Sequence, residues 1–184
     1  MDRIERSGAI LETERLVLRP LTWEDRGDLC EILQDRETMY AYEHAFSDEE
    51  VDRWLENQIR RYREDGFGLW AAVSRESGAL VGQIGLTLQS WEGRQVPEVG
   101  YLLKRRFWGM GYATEGAGGC MDYAFERLGL LWVCSIIRDN NLPSQRVAQR
   151  NGMIPKGHII KHYYNMDMPH TVWCAWRSGG EELP

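Results

Sequence analysis

The stretch from Pro97 to Phe125 constrains this chain more than any other. It opens on the apolar run Glu98-Val99-Gly100-Tyr101-Leu102-Leu103 and passes through Lys104-Arg105-Arg106-Phe107-Trp108-Gly109-Met110-Gly111. A helical run from Tyr112 to Phe125 follows. A strand feeding a basic, glycine-bearing turn and then a helix gathers unpaired N–H groups and the positive end of a helix dipole at one place. Such a place binds phosphate. Gly109 and Gly111 let the backbone turn and approach an anion where a Cβ would obstruct it. The formal charge of the whole chain is -6, which argues against a nucleic-acid partner, because affinity for nucleic acid comes from accumulated lysine and arginine. The Lys104-Arg105-Arg106 run therefore reads as a local feature of the site.

The rest of the chain supplies elements around that stretch. With 184 residues, 43% of them hydrophobic and 27% charged, it is long and apolar enough to bury one core. Residues 1–184 read as a single domain, with a core at about 11–177 and loose ends at Met1–Ala9 and Ser178–Pro184. No apolar run approaches a membrane span, and Met1–Arg6 alternates charges, which points to the cytoplasm and to no membrane partner.

Leu16 to Leu21 predicts a first strand, and Thr22 with Asp25 three residues later predicts a capped helix through Leu33. Ser47 with Glu50 predicts a second helix, in which Val51, Trp54, Leu55, Ile59 and Tyr62 recur at helical spacing before Gly66. Strands are predicted at Leu69–Ser74, Ala79–Ser90 and Val96–Leu103, joined by turns short enough for an antiparallel meander. After the central helix come a strand at Leu131–Ile137 and a short helix over about 143–150 stopped by Gly152. Two late strands follow near Lys156–Tyr164 and Thr171–Arg177. The strand–helix–strand crossover sets the Glu98 and Trp132 strands parallel, so the sheet is mixed. A late edge strand would permit a homodimer.

Cys30, Cys120, Cys134 and Cys174 lie far apart with no Cys-x-x-Cys pair and read as small buried hydrophobes. His44, His158, His162 and His170 show no metal-ligand spacing, and no metal is expected.

Two fingerprints compete for the central glycines. A dinucleotide fold, as in an oxidoreductase, needs Gly-x-Gly-x-x-Gly early in the chain, but the third position here is Thr114 and the unit lies past the middle. The other is Arg106-x-x-Gly109-x-Gly111, followed by Tyr112-Ala113-Thr114-Glu115. It resembles the acyl-CoA-binding signature of the GNAT superfamily of N-acetyltransferases, Arg or Gln-x-x-Gly-x-Gly or Ala. Thr13 to Pro20 is similar to that family's opening strand. Glu98 to Tyr101 and Trp108 to Glu115 resemble its central segment, and Asn141 to Ser144 with Arg150 to Met153 its later helix. The likeness runs from about Leu11 to Trp176 and looks most like the branch of ribosomal-protein N-terminal acetyltransferases.

The resemblance implies an α/β (α+β) fold: a mixed, mostly antiparallel sheet with two splayed parallel strands and helices on both faces. It also implies acetyl-CoA as co-substrate in the cleft between the Glu98 and Trp132 strands. The pyrophosphate would meet the turn formed by Arg106, Gly109, Met110, Gly111, Tyr112 and Ala113. The pantetheine arm would pair with backbone near Leu102 and Leu103, with Asn141 and Ser144 alongside. The implied reaction is direct attack of an amine on the acetyl thioester, with a backbone N–H near Leu102 or Leu103 as oxyanion donor. Glu98 matches a carboxylate that serves some members as base, and reads equally as a solvated strand-end charge or an ion-pair partner. Many members carry a tyrosine acid four residues before the later glycine, where this chain has Ala148. Ser144 is then the candidate acid, and also a candidate N-cap. Asn141 reads as a CoA contact or a turn residue. Tyr163 or Tyr164 is a further candidate acid, although consecutive strand residues point opposite ways. The missing tyrosine also fits a second class, a non-catalytic acyl-CoA-binding sensor or interaction module.

Acceptor choice in this family falls to the segments matching Thr38 to Asp48 and Ile159 to His170. Tyr40, Tyr42, Glu43, His44 and Phe46 in the first, with Tyr163 in the second, make an aromatic and mildly acidic set. Such a mouth suits a cationic amine or a protein N-terminus.

Overall fold

A computed structural model describes residues 8–178. The predicted loose ends therefore lie largely outside the described residues. In chain order the elements are β1 (Leu11–Glu12), β2 (Leu16–Arg19), α1 (Arg26–Leu33), α2 (Asp48–Glu64), β3 (Leu69–Ser74) and β4 (Leu80–Trp91). These are followed by β5 (Arg94–Leu103), α3 (Tyr112–Glu126), β6 (Trp132–Arg138), α4 (Leu142–Arg150), β7 (Ile154–Tyr163) and β8 (Met166–Trp176). The strands form one sheet in the order β1-β2-β3-β4-β5-β6-β8-β7. Every neighbouring pair is antiparallel except β5 and β6, which are parallel. This is the mixed, mostly antiparallel architecture expected.

Local chemistry explains most boundaries. Ser47 Oγ accepts from the Glu50 amide at 3.3 Å and the Glu50 carboxylate accepts from the Ser47 amide at 2.8 Å, a reciprocal cap that starts α2. Thr22 and Asp25 make the predicted box, but the first turn, Trp23–Asp25, is 3-10 and the α-helix begins at Arg26. Glu92 and Gly93 between β4 and β5, and Tyr164 and Asn165 between β7 and β8, all have positive φ. Consecutive positive φ values are those of a tight hairpin turn matched to strand twist. Strand β8 starts five residues before the prediction because Pro169 hides it in the sequence. Pairing of β8 with β6 ends at Arg138↔His170, so the missing proline donor falls where no β6 neighbour needs it.

The sheet is covered on both faces. Alternate residues of β3 divide between them: Trp70 and Ala72 face α3 together with Leu16, Ile84, Cys120 and Ala124, while Ala71 faces α1 and α2 with Leu29, Ile32, Val51 and Leu55. Helix α3 lies very close to the sheet, since a Cβ added at Gly116 would sit 2.4 Å from Ile84 Cδ1.

The α1 side depends on a buried ion pair. The Asp25 carboxylate, 5% exposed, receives two bonds from Arg19 at 2.7 and 2.8 Å and one from the Thr22 amide at 2.9 Å. Burial alone pushes its pKa up, but these donors outweigh burial and hold it below the ordinary aspartate value. A depressed native pKa contributes stability that is present above the unfolded value and lost as pH falls through the native one. We predict that Asp25→Ala lowers the unfolding free energy at neutral pH by about 2 kcal/mol. In denaturant titrations the gap from the wild type narrows as the solution is acidified below about pH 4.

Candidate functional site

The cleft follows from a single paired position. β5 and β6 meet only at Glu98↔Cys134 and then diverge, while β4 holds the other edge of β5 through ten consecutive positions. The divergence opens a cleft of about 900 Å³. Lys104 N–H donates to Val81 O on β4, and the Val99 carbonyl, on the β6 side, accepts from Ser135 Oγ at 2.7 Å. Alternation along β5 therefore turns the Leu102 amide toward β4 and the Tyr101 and Leu103 amides toward the open side. Leu102 lines the cleft but does not offer the free amide that the sequence reading assigned to it. The Leu103 carbonyl is taken by Trp108 Nε1 at 3.0 Å, so the free edge consists of Tyr101 and the Leu103 N–H.

The glycine turn enters α3 without a side-chain cap. Gly109 and Gly111 have φ of 73° and 83°, and Gly111 is the N-cap. The first helical bond of this turn runs from Glu115 N–H to Gly111 O, leaving the amides of Tyr112, Ala113 and Thr114 without an intrahelical acceptor. Gly109, Gly111, Tyr112, Ala113 and Thr114 line the cleft, whereas Arg106 and Met110 do not.

The basic run is directed elsewhere. Lys104 is buried and pairs with Asp28 and with Glu31 at 3.0 Å. Arg105 pairs with Asp35 at 3.3 Å and Glu37 at 2.6 Å. Arg106 pairs with Glu31 and lies over the Phe107 ring. Reading these three charges as a feature of the phosphate site is thus corrected: they bind the acidic stripe Asp28, Glu31 and Asp35, whose helical spacing marks one face of α1 and its extension. The positive character of the turn comes from its backbone.

A clamp that the sequence reading missed fixes the turn. Glu115 accepts from Thr13 Oγ1 at 2.6 Å, Arg15 N–H at 2.7 Å and Arg15 Nε at 2.6 Å. Arg15 also donates to Met110 O at 2.9 Å and lies over the Tyr112 ring at 4.5 Å.

Glu98 is half-buried and, among the described residues, has no ion-pair partner within 4 Å. It lines the cleft, accepting from Thr87 Oγ1 at 3.1 Å and from Ile136 N–H at 3.2 Å. Burial raises its pKa above the ordinary glutamate value, against a partial opposing pull from Lys161, the two hydrogen bonds and Arg61.

Asn141 and Ser144 both line the cleft. Asn141 is the N-cap of α4: its Oδ1 accepts from Ser144 N–H at 3.2 Å and from Tyr40 O–H at 2.6 Å. The Ser144 carbonyl accepts from Tyr101 O–H at 2.9 Å. Ala148 is buried in the core, and the hydroxyls that reach the start of α4 come from Tyr101 and Tyr40.

The predicted acceptor residues separate. Tyr40, Tyr42 and Tyr163 line the cleft, whereas Glu43 and His44 do not. Glu43 pairs with Arg138, whose guanidinium also reaches the Tyr40 and Ala41 carbonyls at 3.4 Å. His44 contacts Glu50 at 3.0 Å and packs edge-on to Tyr164. An acidic mouth is not found: the cleft as a whole is lined by Arg61, Arg138, Arg146, Arg150 and Lys161 and by a single carboxylate, Glu98. Loss of solvation raises the Tyr42 hydroxyl pKa, and Glu98 and Tyr163 add to the effect. Among the described residues no group of three or more His, Cys, Asp or Glu side chains could hold a metal ion.

Comparison with known proteins agrees with this geometry. A family model described as an acetyltransferase (GNAT) domain matches residues 15–154. An uncharacterized protein of Bacillus subtilis (strain 168), YkkB, is 33% identical over 164 residues, covering 89% of this chain and 93% of that protein. The crystal structure of a GNAT-family acetyltransferase from Bacillus anthracis superposes with a TM-score of 0.78 at 21% identity, covering 90% of this chain and 97% of that one. RimL, a ribosomal L7/L12 alpha-N-protein acetyltransferase solved in complex with coenzyme A, superposes with a TM-score of 0.73 at 16% identity, covering 91% of this chain and 97% of that one. The splayed β5–β6 pair, the uncapped glycine turn and the matching family model together establish that the chain belongs to the GNAT acetyltransferases.

Proposed function

We propose that this acetyltransferase, as one domain with its core at about 11–177, moves an acetyl group from acetyl-CoA to a primary amine, either a small molecule or a peptide N-terminus. The observation that carries this reading is Glu98, a half-buried proton acceptor that lines the cleft, is held by Thr87 Oγ1 and Ile136 N–H, and is flanked by the free edge of β5. The chain fits the co-substrate in two places. The unpartnered amides of Tyr112, Ala113 and Thr114 suit the pyrophosphate, and the free β5 edge at Tyr101 and Leu103 suits the amides of the pantetheine arm. When bound, acetyl-CoA supplies the thioester whose carbonyl carbon forms a bond to the amine nitrogen as the C–S bond breaks.

Glu98 accepts the proton that the amine must lose, and its raised pKa brings its proton affinity nearer to that of an ammonium. The Leu103 or Tyr101 amide donates to the acyl oxygen as negative charge grows there. Ser144, with its backbone fixed by Asn141 and Tyr101, passes its hydroxyl proton to the departing sulfur and is reprotonated through solvent, which also takes up the proton that Glu98 releases. Arg146 and Arg150, on the exposed face of α4, offer further cations to the phosphates.

Two outcomes test the assignment. Gly111→Glu puts a side chain at a φ of 83° and a negative charge at the helix N-terminus, so calorimetry shows CoA affinity lower by at least about a hundredfold. Unchanged affinity would exclude the turn as the phosphate site. Glu98→Gln keeps an acceptor for Ile136 N–H and lowers kcat by roughly a hundredfold or more, with CoA affinity retained. In the wild type, kcat/KM rises with pH through ionisation of Glu98 at a value above the ordinary glutamate range. That limb is absent from the Glu98→Gln profile.

A further inference from the structure

The far end of the cleft carries two cations that acetyl transfer itself does not use. Arg61 lies seven residues after Trp54 on α2, two helical turns on the same face, and both line the cleft. Lys161 lies two residues before Tyr163 on β7, on the same side of the strand, and both line the cleft as well. Lys161 pairs in register with Met168, which is buried and also lines the cleft. Both cations are partly sheltered from water. Among the described residues neither has a carboxylate within 4 Å, in contrast to Arg138, which is held by Glu43. Arg61 belongs to α2 and Lys161 to β7, not to the α3 turn, and the rings of Tyr42, Phe46, Trp54 and Tyr163 line the same cleft. A sheltered cation without a counter-ion is unfavourable, and a ligand anion that fills the gap binds with charge-assisted hydrogen bonds.

We infer that the acceptor is a primary amine bearing a carboxylate a few bonds from its nitrogen, with the carboxylate held by Arg61 and Lys161 and the nitrogen presented to Glu98. This rests on the N-acetyltransferase reading above and specifies its substrate class. The nearness of both cations to Glu98 is felt in that carboxyl, whose proton affinity each of them lowers. One site thus holds a base for the amine and a receptor for the anion. The acceptor therefore carries an anion beside its amine, and a polyamine, which the two cations would repel, is excluded.

The test uses the full chain, acetyl-CoA and matched acceptor pairs in a thiol-release assay: free amino acids against their amides, and peptides beginning Ala-Glu against peptides beginning Ala-Gln. Rates are referred to the unprotonated amine, because a carboxylate raises the pKa of its neighbouring ammonium. The wild type prefers the acid of a pair by about tenfold or more in kcat/KM. Lys161→Met and Arg61→Gln each bring that ratio to within about threefold, chiefly through KM, and Lys161→Arg restores it. Preference for the free amino acid alone assigns the anion to an α-carboxylate, preference among the peptides alone assigns it to an acidic residue beside an N-terminus, and either supports the inference. Turnover without acid preference, or a preference that survives both substitutions, overturns it and leaves the N-acetyltransferase reading intact. CoA binding without turnover of any amine overturns both. Calorimetric CoA affinity confirms that each variant is folded, and either variant alone decides the outcome if the other is not.

Discussion

The architecture depends on how two parallel strands can part without leaving their polar edges unsatisfied. Buried N–H and C=O groups need partners, and strands that diverge lose them. Here side chains take over at the point of divergence: Glu98 accepts from Ile136 N–H, and Ser135 Oγ donates to Val99 O. The same substitution that lets β6 leave β5 also fixes a half-buried carboxylate at the head of the cleft. Catalytic candidate and structural hinge are thus one residue. The β5 edge beyond it, at Tyr101 and Leu103, is left for an extended ligand, with α4 secured beside it through Tyr101 O–H and Ser144 O.

Charge is distributed with similar consistency. The phosphate end needs positive potential, yet its three consecutive basic side chains are engaged by α1 and the segment after it. What remains at the turn itself is the dipole end of α3 and three unpartnered amides. These are held in place by a hairpin from the start of the chain through Arg15, Thr13 and Glu115. Fixed amides do not reorganise when a charge arrives, whereas a flexible arginine must be ordered first. The paired run therefore serves α1 packing, and the site keeps the more rigid donors.

Legibility in the sequence followed the range of the interactions. The caps at Thr22 and Ser47 and the turn at Gly109 and Gly111 are local, and each was visible from a few neighbouring residues. The mixed sheet followed from one crossover. The partners of Glu98 were not visible, because Thr87 and Ile136 lie 11 and 38 residues away. For the same reason Glu43 and His44 looked like an acidic mouth. Composition placed them in the right loop, but their directions are set by Arg138 and Glu50. Arg61 and Lys161 could have been picked out by following Trp54 and Tyr163 along their own faces, at helical and strand spacing respectively. They went unnoticed because isolated cations on exposed elements are common.

The two cations also bear on the base. In the ligand-free cleft, Arg61 and Lys161 favour the ionised form of Glu98 and so weaken it as a proton acceptor. An acceptor carboxylate of the kind proposed above, arriving between them, would neutralise that pull and add a like charge near Glu98. Both effects raise its proton affinity at the moment an ammonium is delivered beside it. A neutral or cationic amine would produce no such change and would meet a weaker base. On the acceptor assignment proposed above, recognition of the anion is linked electrostatically to the proton affinity of Glu98, so a smaller effect on kcat accompanies the main one on KM.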